Sequence, residues 1–91
     1  MIEPATVVKR AFDVRARKVK DKQLVARGNE IVELNEVAAV MWRLADGSRS
    51  AAQIGERIAE EYEVSPDEAL ADTTEFLHEM VEAGFLRVAP A

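Results

Sequence analysis

The stretch from Leu34 to Ser50 constrains the fold more than any other part of the chain. Leu34 closes a short strand-like run. Asn35 follows, and its side-chain oxygen can accept from an early backbone N–H and start a helix. Val37, Val40, Met41 and Leu44 then recur at i, i+3, i+4 and i+7, the spacing of one helical face. Asp46-Gly47 stops that helix, the glycine supplying a left-handed residue without a Cβ penalty. Ser50 and Gln53 form a capping-box pattern for the next helix. A strand end, a helix, a tight turn and a second helix start are therefore fixed by consecutive signals.

Upstream, the period changes from helical to alternating. Residues 1–10, with Pro4, read as a flexible, extended N-terminal segment. Phe12, Val14 and Ala16 alternate with Asp13, Arg15 and Arg17, the pattern of a half-buried strand. Lys20-Asp21-Lys22 is a polar turn, and Leu24-Val25-Ala26 is a second strand closed by Gly28-Asn29, a dipeptide suited to a hairpin. Glu30-Ile31-Val32-Glu33-Leu34 is a third strand with Val32 and Leu34 on one face. The three strands read as a meander.

Downstream, the second helix presents Ala51, Ile54, Ile58 and Tyr62 as its buried stripe. Ser65-Pro66-Asp67-Glu68 starts a third helix with a cap, a proline at the first position and a glutamate at the third. That helix runs to about Ala83 and stops at Gly84. Phe85-Leu86-Arg87-Val88 is a short apolar strand or tail. The whole is one α+β domain over residues 11–88, with 89–91 as a tail: a three-stranded N-terminal antiparallel sheet followed by three helices.

The third helix has an unusually wide apolar face. At roughly 100° per residue, Leu70, Thr73, Thr74, Leu77, Val81 and Gly84 share one side, and Ala69, Phe76 and Met80 extend the arc to about 160°. Glu68, Asp72, Glu75, Glu79 and Glu82 take the opposite side. One reading leaves an edge of this arc lining an exposed groove. The other sandwiches the helix between the sheet and the first helix, burying the whole arc. The sequence leaves both open.

Composition excludes several functions. The chain has no cysteine, which removes disulfides, thiolate metal sites and cysteine nucleophiles. It has one histidine, His78, with no second histidine for a metal site. Ser48, Ser50 and Ser65 sit at turns and caps, the helix-three carboxylates read as a solvated face, and no glycine-rich phosphate loop occurs. The expectation is a protein with no catalytic residues, no metal and no cofactor. The N-terminus lacks the basic region and apolar run of a signal peptide, and no stretch approaches the roughly 20 apolar residues that cross a bilayer. A cytoplasmic location without membrane contact is expected.

Charge narrows the partners. Residues 1–35 hold eight Lys/Arg against five acids, a net +3; residues 36–91 hold four against twelve, a net −8. The order of the helices permits a winged helix-turn-helix, whose recognition helix normally meets phosphate with Lys and Arg. Here the second and third helices carry one basic residue, Arg57, and nine acids lie between Glu60 and Glu82. Nucleic-acid binding by a regulator is the weaker reading, resting on the basic strands alone. Peptide recognition fits better, because a three-stranded sheet offers an unpaired edge beside an apolar helix face.

Glu33-Leu34-Asn35, Ala38-Ala39, Trp42-Arg43-Leu44, Asp46-Gly47-Ser48-Arg49-Ser50 with Ile54, Ala71-Asp72, Phe76-Leu77 and Gly84-Phe85-Leu86 together resemble the PqqD-like family over roughly residues 11–88. Members are peptide chaperones, also described as RiPP recognition elements. The resemblance implies a winged-helix fold and the binding of a precursor peptide's leader segment for delivery to a modifying enzyme, with a radical SAM maturase as preferred partner. It implies leader pairing with the third strand, at Ile31, Val32, Glu33 and Leu34, and contact with the third helix at Leu70, Thr73, Thr74, Leu77, His78 and Val81. The chain has Arg27-Gly28-Asn29-Glu30 where relatives in quinone-cofactor biosynthesis often carry Pro-Glu before this strand. A homodimer is compatible with the chain, and a small dimerisation module is a third reading.

Overall fold

The computed structural model describes residues 2–90. It is an α+β fold of two three-stranded antiparallel sheets and three helices. The strands are β1 (Val7–Arg10), β2 (Arg15–Val19), β3 (Lys22–Arg27), β4 (Glu30–Leu34), β5 (Asp46–Ser50) and β6 (Leu86–Val88). The helices are α1 (Glu36–Leu44), α2 (Ala51–Tyr62) and α3 (Pro66–Glu82).

The expected meander is present as the sheet β2-β3-β4. Val25 faces Val32 and Gln23 faces Leu34 across β3 and β4, while Ala26 faces Ile31 on the opposite face. Val25 and Leu34 are buried and Val32 packs against the same core. Gly28-Asn29 is a two-residue turn between Arg27 and Glu30, with Gly28 at φ 59 and Asn29 not in the positive region, the sense of a type II′ hairpin. The first strand begins later than the alternation of Phe12, Val14 and Ala16 suggests. Phe12 lies in the turn before β2, 91% exposed, because β1 ends at Arg10 and the chain must reverse there.

The second sheet departs from the sequence reading. Its order is β5-β1-β6, so Val7–Arg10, expected within a flexible segment, is the central strand. Val8 pairs with Val88 and Arg10 with Leu86 on one side; Val7 pairs with Ser50 and Lys9 with Asp46 on the other. Asp46-Gly47-Ser48-Arg49-Ser50, expected as a turn, is thereby a strand. The apolar terminal segment is strand β6, and residues 89 and 90 follow it. Met1 and Ala91, at the ends of the two expected terminal segments, lie outside the described residues.

The helix signals act as expected at their starts. Asn35 Oδ1 accepts from Ala38 N at 2.8 Å, Ser50 and Gln53 close a reciprocal capping box, and Ser65 Oγ accepts from Glu68 N at 3.2 Å. The ends use different devices. α1 stops before Asp46, its Ala45 N–H donating to Met41 and Trp42 carbonyls at 3.1 and 3.2 Å. Arg10 of β1 donates to the Trp42 carbonyl at 2.7 Å and stands 5.9 Å from the Trp42 ring centroid, so a cation serves the negative end of this helix. At the end of α3, Gly84 N donates to Val81 O and Phe85 N to Met80 O, a Schellman closure that needs Gly84 at φ 85. That closure turns Phe85 fully inward, where it joins Ile54, Leu77, Leu86, Val8 and Val25 in the core.

α2 and α3 pack closely at Gly55. A Cβ there would stand 3.2 Å from the Leu70 Cα. Gly55→Leu forces the two helices apart, an overpacking cost of about 1–3 kcal/mol. The thermal midpoint, followed by far-UV circular dichroism, should fall by roughly 5 °C or more.

β5 carries a local charge device. Asp46 Oδ1 accepts from Ser48 N at 3.1 Å and from the Ser48 hydroxyl, and its Oδ2 lies 3.2 Å from Arg49 Nη1. These bonds, the Ser48 hydroxyl first, hold the Asp46 carboxyl below its ordinary value of 3.8. A depressed pKa stabilises the fold above the unfolded value and loses that contribution as pH falls through the folded one. Asp46→Asn should therefore be less stable than the parent at neutral pH, and the gap should close as urea midpoints are measured at pH values below about 4.

Candidate functional site

β4 ends its sheet. β3 pairs with one side, and no strand among the described residues pairs with the other. An exposed edge of this kind presents unsatisfied N–H and C=O groups to an incoming strand. The hairpin fixes which groups those are. A two-residue turn closes on a hydrogen-bonded pair, so Arg27–Glu30, Val25–Val32 and Gln23–Leu34 exchange bonds within the sheet. The intervening residues, Ile31 and Glu33, direct their N–H and C=O groups to the open side. Ile31 is 68% exposed, a large apolar side chain standing free beside this edge.

A shallow cleft of about 330 Å³ begins where β4 ends. Its walls are Asn35, Val37, Ala38 and Met41 on one side and Asp72, Glu75, Phe76 and Glu79 on the other. Asn35 is placed by its own capping bond, and Phe76 by packing of α3 against the core. The cleft thus continues the free edge of β4 between the first turns of α1 and the middle of α3. Near it, the Tyr62 hydroxyl donates to Glu36 Oε2 at 3.3 Å and ties the end of α2 to the start of α1. Burial first, then the charges of Glu36 and Glu61, raises the Tyr62 pKa above 10.0.

The ten residues expected at the site separate by burial. Ile31 and Glu33 are exposed on the outer face of β4, and Val32 is half-buried beneath the edge. Leu34, Thr73 and Leu77 are closed off in the core; they shape the floor and offer no contact surface as the structure stands. Leu70, Thr74 and Val81 are half-buried and His78 is exposed, on the edge of α3 turned away from the cleft beside Asn35. Val81 instead helps line a separate recess of about 580 Å³ with Ala11, Phe12, Arg27, Leu86 and Arg87. The wide arc of α3 is therefore divided. Ala69, Thr73, Leu77 and Met80 face the core, and the edge that meets the end of β4 carries Phe76. Phe76 and Val37 line the cleft and are not among the ten expected residues. Their signal was the extension of the apolar arc toward Phe76.

A third and larger hollow, about 830 Å³, lies between β2, the end of β4 and α1, and mixes Arg10, Lys18, Lys22 and Arg43 with Asp21, Glu33 and Glu36. No group of three His, Asp or Glu side chains among the described residues is arranged to hold a metal ion. No helix there is long and apolar enough to cross a membrane.

Comparison with known proteins bears on this geometry. The chain shares its fold with the PqqD truncation of Methylobacterium extorquens PqqCD, a stand-alone RiPP recognition element. The TM-score is 0.82 at 20% identity, covering 96% of this chain and 95% of that one. It also shares the fold with TbiB1 in complex with the TbiA(beta) leader peptide, at a TM-score of 0.78 and 19% identity over 91% of this chain and 99% of that one. The PqqA binding proteins of Xanthomonas oryzae pv. oryzae strains PXO99A and KACC10331 / KXO85 are each 30% identical over 71 residues, 78% of this chain and 77% of theirs. The family model for coenzyme PQQ synthesis protein D (PqqD) matches residues 23–86, from β3 through the cleft to the first residue of β6. That match takes in the β4 edge and the cleft, and the chain belongs to the PqqD family.

Proposed function

We propose that this protein binds the leader segment of a ribosomally made precursor peptide and presents it to a modifying enzyme, with no catalytic group of its own. The observation that carries the reading is the free edge of β4 running into the Val37–Phe76 cleft. The leader adds as a strand beside Ile31 and Glu33, and an apolar side chain at one end enters the cleft. Main-chain bonds give affinity and the cleft gives selectivity. The names of the Xanthomonas relatives and of the leader-bound structure support the same role. A radical SAM maturase is the proposed partner enzyme, and the cytoplasm the proposed location. We describe α2, the turn at Glu63–Ser65 and α3 as a helix-turn-helix with the β2–β3 hairpin as its wing, a description supported by the element order.

Proline substitution separates the open side of β4 from its paired side. Val32→Pro would remove a bond within the sheet and unsettle the fold. Ile31→Pro removes an outward N–H, a position where an edge strand tolerates proline. Ile31→Pro should keep its circular dichroism spectrum while calorimetry shows affinity for the cognate leader reduced roughly tenfold, the cost of leaving a leader carbonyl unpaired. Unchanged affinity would exclude strand addition at β4.

One observation favours a second reading. Arg15, Arg17, Lys18, Lys20 and Lys22 are all exposed on the β2–β3 hairpin. A nucleic-acid-binding regulator would use that wing. The acids of α2 and α3 oppose duplex phosphate, so a gel shift with duplex DNA at low salt should show no complex. A complex that weakens steeply with salt would favour this reading instead.

A further inference from the structure

The three recesses differ in charge. The other two contain Arg or Lys among their walls, and the larger of them also takes in Glu33 at the end of β4. The Val37–Phe76 cleft contains none and is rimmed by the carboxylates of Asp72, Glu75 and Glu79. None of those three side chains takes part in a hydrogen bond or ion pair found among the described residues. Nor does the chain supply a cation nearby in sequence, since no Lys or Arg occurs between Arg57 and Arg87. Each apolar wall residue, Val37, Met41 or Phe76, therefore stands beside unneutralised negative charge.

From this we infer the class of peptide the protein selects: a leader with an apolar anchor for the Val37–Phe76 cleft flanked by Lys or Arg. The inference rests on the leader-binding reading and adds the charge of the ligand to it. An apolar side chain covers Phe76 and Val37, and cations on either side of it reach Glu75, Glu79 and Asp72. Seating the anchor draws these carboxylates partly out of water, where an opposite charge on the ligand favours the complex and a like charge opposes it. Acidic leaders are rejected at the same rim. The basic hairpin borders β4 at Glu33, where Lys22 Nζ stands 3.9 Å from the carboxylate, but none of its Lys or Arg side chains lines the Val37–Phe76 cleft.

A random peptide library displayed on phage, selected against the intact protein, tests this. Enriched peptides are synthesised and titrated into isotope-labelled protein, with the amide signals of Ile31, Glu33 and Phe76 followed by NMR. The expected peptides move those signals, are enriched in Lys and Arg beside an apolar residue, and bind about tenfold tighter than versions with Glu in place of the cations. That preference should shrink in about 1 M salt, where screening acts within roughly 3 Å. It should also shrink in the Glu75→Gln, Glu79→Gln double variant, whose changes are at exposed positions. Peptides that move the Ile31 and Glu33 signals yet are neutral or acidic overturn the charge selection and leave strand addition standing. Cationic peptides that leave those two amides unmoved, or a library that yields no binder, overturn the leader reading and this inference with it.

Discussion

The structure depends on one strand, β1, lying between β5 and β6. Val8 in that strand is fully buried, and its neighbours reach across the domain. Pairing with β6 fastens the end of α3 through Leu86 and the inward-turned Phe85. Pairing with β5 fixes the start of α2 beside Ser50. At its far end Arg10 supplies donors to the last carbonyls of α1. One short strand thus sets the ends of three helices, and the groove walls inherit their positions from it.

Local chemistry was legible where a single side chain decides. Asn35, Ser50 and Ser65 each start a helix by accepting a nearby N–H, and each is read from the residue and its follower. The β2-β3-β4 meander was legible because its strands are adjacent and its turn dipeptide is specific. β1 and β5 were not. Asp46-Gly47-Ser48-Arg49-Ser50 has no apolar alternation, and it is a strand only because Val7–Arg10 lies beside it. Such pairing joins residues some forty positions apart, and no local pattern encodes it.

The site divides along the same line. Ile31 and Glu33 follow from the hairpin register, which the sequence nearly specifies. The contacting edge of α3 does not. An arc of about 160° leaves open which part faces α2, and the answer lies in Gly55, whose missing Cβ lets the Leu70 backbone approach. That approach places Thr73 and Leu77 in the core and leaves Phe76 at the mouth of the cleft. Charge was legible throughout. What the structure adds is where three of the acids stand: around a cleft with no cation among its walls.

The two sheets share no strand. A peptide docked on β4 would widen one of them, while the other keeps the two ends of the folded chain fastened. Tension on such a peptide, as when an enzyme draws its far end into an active site, would be borne by β4 and β3. It would not be passed along a ladder to β1. The ladder that fastens the ends of the folded chain and the open edge of β4 lie in different sheets, so a strand added to β4 would leave the pairing of β1 untouched.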